Sequence, residues 1–307
     1  MANRPEGWEW DQSLYAGAAQ YYLAGRMPYP AELGDVLAGA LGLDGTGRLL
    51  DVGCGPGPLT ILLAPLFASA VGLDASTGMI AAARAQAKRT GVSSISWRRL
   101  RAEEITSGLG EFRVVTFAQS FHWVDGLKVA RLVRTVLEPD GACVIVHATT
   151  HQGAPGEHPL PLPRPPRAEI DLLISDYLGS VRRAGRGTRA ASPPRGAAAD
   201  SGAAAAGAGY ADDVFADAGF TGPAPLVVQG GSVAERDEDD VVASVFSLSY
   251  AAPHLFGADR GRFEQDLRVL LRRTAPDGRF CEERMHITAH VWRPAAISRR
   301  ARRQAGT

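Results

Sequence analysis

The stretch RLLDVGCGPGPLT, residues 48–60, gathers three kinds of residue with chemical potential. An acid, Asp51, ends an apolar run. Gly53, Gly55 and Gly57 follow at alternate positions, with Pro56 and Pro58 set among them. A strand entering a glycine-rich turn and then a helix is the usual frame for a nucleotide. A dinucleotide site needs G-x-G-x-x-G and free backbone N–H groups at the helix start to grip the pyrophosphate. Here the glycines are spaced differently, and the two prolines remove N–H donors where phosphate would need them. No Gly-Lys-Ser/Thr follows, which excludes a Walker-type loop. Asp51 would repel an anion and attract a cation. A second acid, Asp74, closes the next apolar run, where an acid typically accepts hydrogen bonds from ribose hydroxyls. These residues ask for a nucleoside with a positively charged tail and no phosphates.

A second group is Ala118-Gln119-Ser120-Phe121-His122-Trp123-Val124-Asp125. His122 titrates near working pH and could take a proton, or it could hold a ligand or a backbone group. Trp123 is either a pocket wall or core. A third is YAGAAQYYLAGRMPYP, where Tyr15, Tyr21, Tyr22 and Tyr29 cluster ahead of the glycine loop. Further along, His147, His151, Phe246, Tyr250, His254 and Phe256 offer an aromatic pocket with a few polar groups, the usual composition of a small-molecule site. His147 falls inside a strand pattern and reads equally as a satisfied buried histidine.

The elements that must position these residues alternate strand and helix from Arg48 to about Thr149. RLLDV, AVGLD, ISWRR, FRVVTFA and ACVIVHATT read as strands. LTILLAPLF, TGMIAAARAQAKR (capped by Ser76) and DGLKVARLVRTVL read as helices, with a turn at Glu138-Pro139-Asp140-Gly141. Such alternation implies right-handed crossovers and a mostly parallel, doubly wound α/β sheet. Beyond Thr150 the pattern breaks. A proline-rich loop leads to the helix AEIDLLISDYLG. Arg182 to Gly209 has almost no large apolar residue and is expected to be a mobile linker. DDVFADAGF, DEDDVVASVFSLSY and RFEQDLRVLLRR are expected helices, and PLVVQ and RMHITAHVW expected strands.

At this point the chain resembles the class I S-adenosylmethionine-dependent methyltransferases, in their small-molecule, trans-aconitate-like branch. Asp51-x-Gly53-x-Gly55-x-Gly57 matches their first motif and VGLDAS the acidic second one. Arg101-Ala102-Glu103-Glu104 falls where the family meets adenine, and EPDGACVIV matches a turn and fifth strand. The resemblance covers roughly residues 10 to 150 and the final strand. It implies a Rossmann-like, seven-stranded, mostly parallel sheet with an antiparallel last strand, a helical N-terminal arm and a helical cap. It also implies roles: Asp51 and Gly53 at the methionine end, Gly55 leaving room, Asp74 and Ala75 at the ribose, Met79, Ala102 and Glu103 at the adenine. Gln119 and His122 would also meet the cofactor, and Tyr22 and Arg26 would reach it from an arm folding over it. Tyr21, Trp123, His151, Phe246, Tyr250 and His254 would form the acceptor pocket, with His122 the candidate base. No metal is expected. The implied organisation is an arm over 1–40, a cofactor-binding core over 41–150, a cap over 151–283 with a flexible 182–209 segment, and a closing strand at 284–293.

Composition bounds the partners. Among 307 residues, 33 Lys and Arg balance 33 Asp and Glu, so no net charge draws the chain to nucleic acid or an anionic membrane. The Asn/Asp-Pro-Pro-Tyr signature of base-modifying relatives is absent. The beginning of the chain has no apolar signal core, no run is long and apolar enough to span a bilayer, and Cys54, Cys143 and Cys281 have no metal-type spacing. The expectation is a cytoplasmic enzyme that methylates a small molecule, a secondary metabolite of apolar character, and leaves S-adenosylhomocysteine. A homo-oligomer is left open. The alternatives are a non-catalytic cofactor-binding regulatory or assembly protein and, further off, a nucleic-acid methyltransferase.

Overall fold

A computed structural model describes residues 13, 15–156, 158–184, 187–190 and 211–295. Its centre is a sheet of seven strands. Five are parallel: β1 (Arg48–Val52), β2 (Ser69–Asp74), β3 (Ile95–Arg99), β4 (Phe112–Ala118) and β5 (Leu137–His147). After them in the chain come the hairpin β6 (Val181–Ala184) and β7 (Gly187–Ala190), then β8 (Phe220–Val228), the ribbon β9 (Val233–Asp237) and β10 (Arg279–Glu283), and β11 (Ile287–Pro294). The sheet order is β3-β2-β1-β4-β5-β11-β8, and β11 runs antiparallel to both β5 and β8. The fold is therefore a Rossmann-like, doubly wound sheet, and its chain order reverses direction between β1 and β4. A crevice opens at such a reversal, beyond the carboxyl ends of the strands.

Burial explains the strand sequences. Leu49, Leu50 and Val52 are at most 1% exposed because both sheet faces are covered, which favours continuous apolar runs. One face packs beneath α2 (Ala31–Leu41) and α3 (Pro58–Leu63), with Leu33, Leu37, Leu59 and Leu63 against Val144 and Val146. The other carries Phe117, Ile145 and Trp292 beneath α5 (Gly126–Val136) and the helix α7, residues 211–217. Helix α4 (Thr77–Thr90) starts where Ser76 Oγ accepts from the Met79 N–H at 3.3 Å and ends at Gly91 in the left-handed region.

A second apolar cluster forms the cap. There α6 (Arg167–Leu178), α8 (Glu238–Phe246) and α9 (Arg260–Thr274) bury Ile174, Phe246, Phe263 and Leu267. The arm helix α1 (Ala19–Gly25) lies against α8 so closely that a Cβ on Gly25 would sit 2.3 Å from the Ala243 carbonyl oxygen.

Four expectations are corrected. Residues 182–184 and 187–190 are not linker but belong to the two strands of the β6–β7 hairpin. It is anchored by Arg182, which pairs with Asp171 at 2.9 Å and lies 4.8 Å over the Tyr250 ring. The anchoring contacts are long-range, so the local composition did not announce them; residues 191–210 lie outside those described. Residues 211–228 join the core sheet and its covering helix rather than the cap. Of the arm, α2 belongs to the core, and α1 packs on the cap. Finally, Glu138–Gly141 is not a free turn. It bulges out within β5, whose pairing with β4 jumps from Phe112↔Leu137 to Val114↔Ala142.

Candidate active site

A cleft opens at the carboxyl edge of β1, β2 and β4. Its floor is the glycine loop. Gly53 has φ +67°, and a Cβ there would lie 2.5 Å from the Ser120 Cβ, so the loop must be bare to pass the β4 end. Gly57, at φ +81°, would collide with the Trp97 ring at 2.4 Å. Gly55 differs: at φ +55°, a Cβ would meet nothing within 4 Å, and the residue lines the cleft. Side chains other than glycine would fill that space.

Asp74 stands at the end of β2 with its carboxylate fixed. Oδ2 accepts from the Gly55 N–H at 2.9 Å and Oδ1 from the Ser76 N–H at 2.8 Å. Each oxygen keeps acceptor capacity toward the cleft. Burial raises its pKa. Ala75 and Met79 line the same wall, and Ala102 and Glu103 the next. Glu103 is held by the Asp125 N–H at 2.9 Å and by Arg101 at 3.6 Å. Gln119 closes the β4 end at φ +56°, an uncommon conformation for a residue with a side chain, and its Nε2 donates to the Ala148 carbonyl. The mouth is aromatic: Tyr15 and Tyr22 from the arm face Trp123, with Tyr15 and Trp123 edge-to-face at 6.1 Å.

The structure thus brings Tyr22, Gly53, Gly55, Asp74, Ala75, Met79, Ala102, Glu103, Gln119 and Trp123 together around one cleft. It sets others apart. Asp51 is 1% exposed beneath the loop, accepting from Thr60 Oγ1 at 2.6 Å and Thr116 Oγ1 at 2.8 Å, so it does not face a ligand. Burial pushes its pKa up to about 6. Arg26 also misses the cleft wall. It bonds Ser247 Oγ at 2.8 Å and the Ser247 carbonyl at 3.1 Å, lies 3.5 Å from His151 Nδ1, and stacks 4.8 Å over Tyr22. His122 is exposed on the short 3₁₀ turn after β4, its ring 4.9 Å from that of Trp123, outside the cleft lining. Dense packing around the ring and nearby His147 push its pKa down, while its exposure limits how far, so the imidazole is neutral at physiological pH.

Of the acceptor-pocket residues, Trp123 alone lines this cleft. Phe246 is fully buried in the cap. Tyr21 accepts from Arg260 and packs on Phe246 at 5.1 Å. Tyr250 lies under Arg182, and His254 is exposed with Nδ1 3.1 Å from the Ala16 carbonyl oxygen. His151 sits among Arg26, Arg167 and Arg236, which together with burial drive its pKa well down. These aromatic residues read as pocket because core and pocket share a composition; packing decides between them. Leu100 lines the cleft without having been named, and Tyr15, Ser120 and Val124, named only as members of their stretches and given no role, line it too. Leu100 and Ser120 were legible in principle, each sitting one or two residues past a strand end.

The lining suits the ligand that the sequence asks for. The glycine floor is open at Gly55, and Asp74 offers oriented acceptors for vicinal hydroxyls. Aromatic faces at the mouth favour a cationic centre, and the prolines of the loop leave no phosphate cradle.

Residues 49–141 match a methyltransferase domain family. A ubiquinone biosynthesis O-methyltransferase of Ruegeria pomeroyi is 37% identical over 31% of this chain and 38% of its own length. An uncharacterised methyltransferase, YcgJ, of Bacillus subtilis is 29% identical over 32% of this chain and 40% of its own. The solved structure of YcgJ aligns over 87% of this chain and all of that one, with 17% identity and a TM-score of 0.45. The chain thus spans about two fifths of the length of the curated relatives it matches. Among the described residues no helix is long and apolar enough to cross a membrane. The likeness is thus to a methyltransferase domain, over residues 49–141.

Proposed function

We propose that this protein is an S-adenosylmethionine-dependent methyltransferase acting on a small molecule of apolar character, a natural product or secondary metabolite. The observation that carries the reading is the fixed Asp74 carboxylate facing an open, phosphate-averse glycine floor in an aromatic-mouthed cleft. Asp74 would accept the ribose hydroxyls of the donor, Met79, Ala102 and Glu103 would meet its adenine, and the Gly53–Gly55 backbone its amino-acid end. Asp51 contributes a negative field from below rather than a contact. Arg26 acts through Tyr22, holding the arm down on the cleft.

When bound, the donor supplies an electrophilic methyl group. What the chain supplies is geometry: Tyr15, Tyr22 and Trp123 exclude water and hold the acceptor in line with the methyl carbon. Positioning of this kind can contribute roughly 7–11 kcal/mol. A hydroxyl acceptor must also lose a proton, and His122, neutral and beside Trp123, is the candidate to take it. The relatives that act on oxygen support a hydroxyl acceptor.

Calorimetry with S-adenosylhomocysteine and with NAD tests the donor. The first should bind and the second should not; NAD binding alone would sink the reading. His122→Ala should keep S-adenosylhomocysteine affinity within a few-fold and, with the acceptor in hand, lower kcat by at least about 10²-fold. Unchanged turnover would remove His122 from the reaction.

A further inference from the structure

Seven buried side-chain polar atoms among the described residues have no hydrogen-bond partner. Three are guanidinium Nε atoms on Arg101, Arg182 and Arg284, scattered over the molecule. The other four, His147 Nε2, His290 Nδ1, Asp212 Oδ1 and Trp292 Nε1, belong to residues gathered on one face of the sheet. Native proteins rarely leave such atoms unpaired, and four in one neighbourhood call for an explanation.

The register puts them there. β11 pairs with β5 so that Thr288 faces His147, His290 faces Ile145 and Trp292 faces Cys143. His147, His290 and Trp292 therefore share a face, with ring centroids 5.2 Å apart for His147–His290 and 5.7 Å for His290–Trp292. α7 covers that face: Phe215 stacks on Trp292 at 4.6 Å, and Asp212 lies one turn earlier. Asp212 is close enough to His147 to act on its charge, as His147 is on that of His122. The group lies at the carboxyl end of β5, next to β4, whose Gln119 N–H donates to the Val146 carbonyl at 3.2 Å and whose side chain lines the cleft. His147, His290 and Asp212 are part-buried and Trp292 is 1% exposed, and none of the four lines the cleft itself.

We infer that His147, His290, Asp212 and Trp292 form a polar subsite, beside the cleft rather than in its lining, that receives a neutral hydroxyl group of the methyl acceptor. This rests on the methyltransferase reading above. The chemistry of the set selects the ligand. Trp292 Nε1–H can only donate, Asp212 Oδ1 can only accept, and each histidine does one or the other. A hydroxyl, which both donates and accepts, satisfies such a mixed set. An anion is disfavoured by the Asp212 carboxylate. A cation finds no pair of carboxylates, and no three ligands among the described residues are placed to hold a metal ion. Burial holds His147 neutral, and Asp212 opposes that only in part.

The test uses the full-length protein saturated with S-adenosylhomocysteine and follows the Trp292 indole and the His147 and His290 ring signals by nitrogen–proton NMR. The probes are phenol and catechol, with anisole and benzoate as controls. Phenol or catechol should shift these signals, and the controls should not. Asp212→Asn and His147→Phe should each weaken that binding by at least about tenfold, while S-adenosylhomocysteine affinity stays within about twofold. His147→Gln, which restores a polar group of similar reach, should recover part of the loss. The inference is overturned if neither hydroxyl probe shifts these signals. It is equally overturned if benzoate shifts them as well, or if the shifts survive both substitutions. Failure of S-adenosylhomocysteine to bind the wild-type protein would count against the donor reading instead, because the phenol titration can be run without it.

Discussion

Asp51 shows how an acid in a glycine-loop motif can sit beneath the cleft that the loop floors rather than face it. Its carboxylate is tied to Thr60 and Thr116 beneath the loop, and burial lifts its pKa from 3.8 to about 6. The native state therefore holds this proton more tightly than the unfolded chain does. Between pH 4 and 6 the native state binds more protons, so this group's contribution to stability falls as pH rises, by up to about 3 kcal/mol across the two-unit window. The depressed histidines His147 and His151 act oppositely, costing stability as pH falls. The comparison with Asp51→Asn isolates the aspartate. Urea unfolding should show wild type losing stability relative to the variant from pH 4 to 6, and a flat difference above about pH 7. A difference that does not vary with pH would show that the burial shift is absent. The motif that made Asp51 legible also misplaced it. The spacing of acid and glycines fixes where the loop turns, whereas the direction of the Asp51 side chain depends on threonines 9 and 65 residues away.

At the scale of elements, strands buried on both faces were the most legible. RLLDV and FRVVTFA correspond to β1 and β4 residue for residue, because an apolar run between turn residues has few other fates. The cap was less legible. Its helices carry an amphipathic signal, but the β6–β7 hairpin owes its place to Arg182, whose guanidinium satisfies Asp171 and Ser175 on α6 while covering Tyr250. Composition reads that arginine as one of several in a low-complexity stretch. Arg182→Ala should cost about 1–2 kcal/mol of local opening free energy, and so speed tryptic cleavage after Arg183 roughly five- to thirty-fold. Equal cleavage rates would mean that the anchor contributes nothing to the hairpin.

Across the whole molecule, the buried carboxylate Glu282 ties the parts together. It pairs with Arg167 of α6 at 2.8 Å and Arg236 of β9 at 3.4 Å, and accepts from the Gly153 N–H at 2.9 Å on the chain leaving β5. Arg236 in turn donates to the Gly25 carbonyl at the end of the arm helix at 3.1 Å. None of this was visible in the sequence, where the net charge of zero hides which charges are buried and which are paired.

The neighbours Tyr21 and Tyr22 look opposite ways along α1: Tyr22 walls the cleft, and Tyr21 is packed into the cap on Phe246 and Arg260. One short helix is thus shared by two cores. Whatever steadies Tyr22 lengthens the time that α8 stays closed, since the two cannot part without breaking the Gly25–Ala243 contact. Amide hydrogen exchange should register this at a distance. Saturation with S-adenosylhomocysteine at about 100 times its dissociation constant should slow exchange in α8 by up to about a hundredfold, the full linkage of roughly 2.7 kcal/mol. Exchange in α8 that ignores the ligand would show the arm and cap to open independently. Slowed exchange would instead make the cap, whose own core touches no part of the cleft, a remote gauge of the cleft's occupancy.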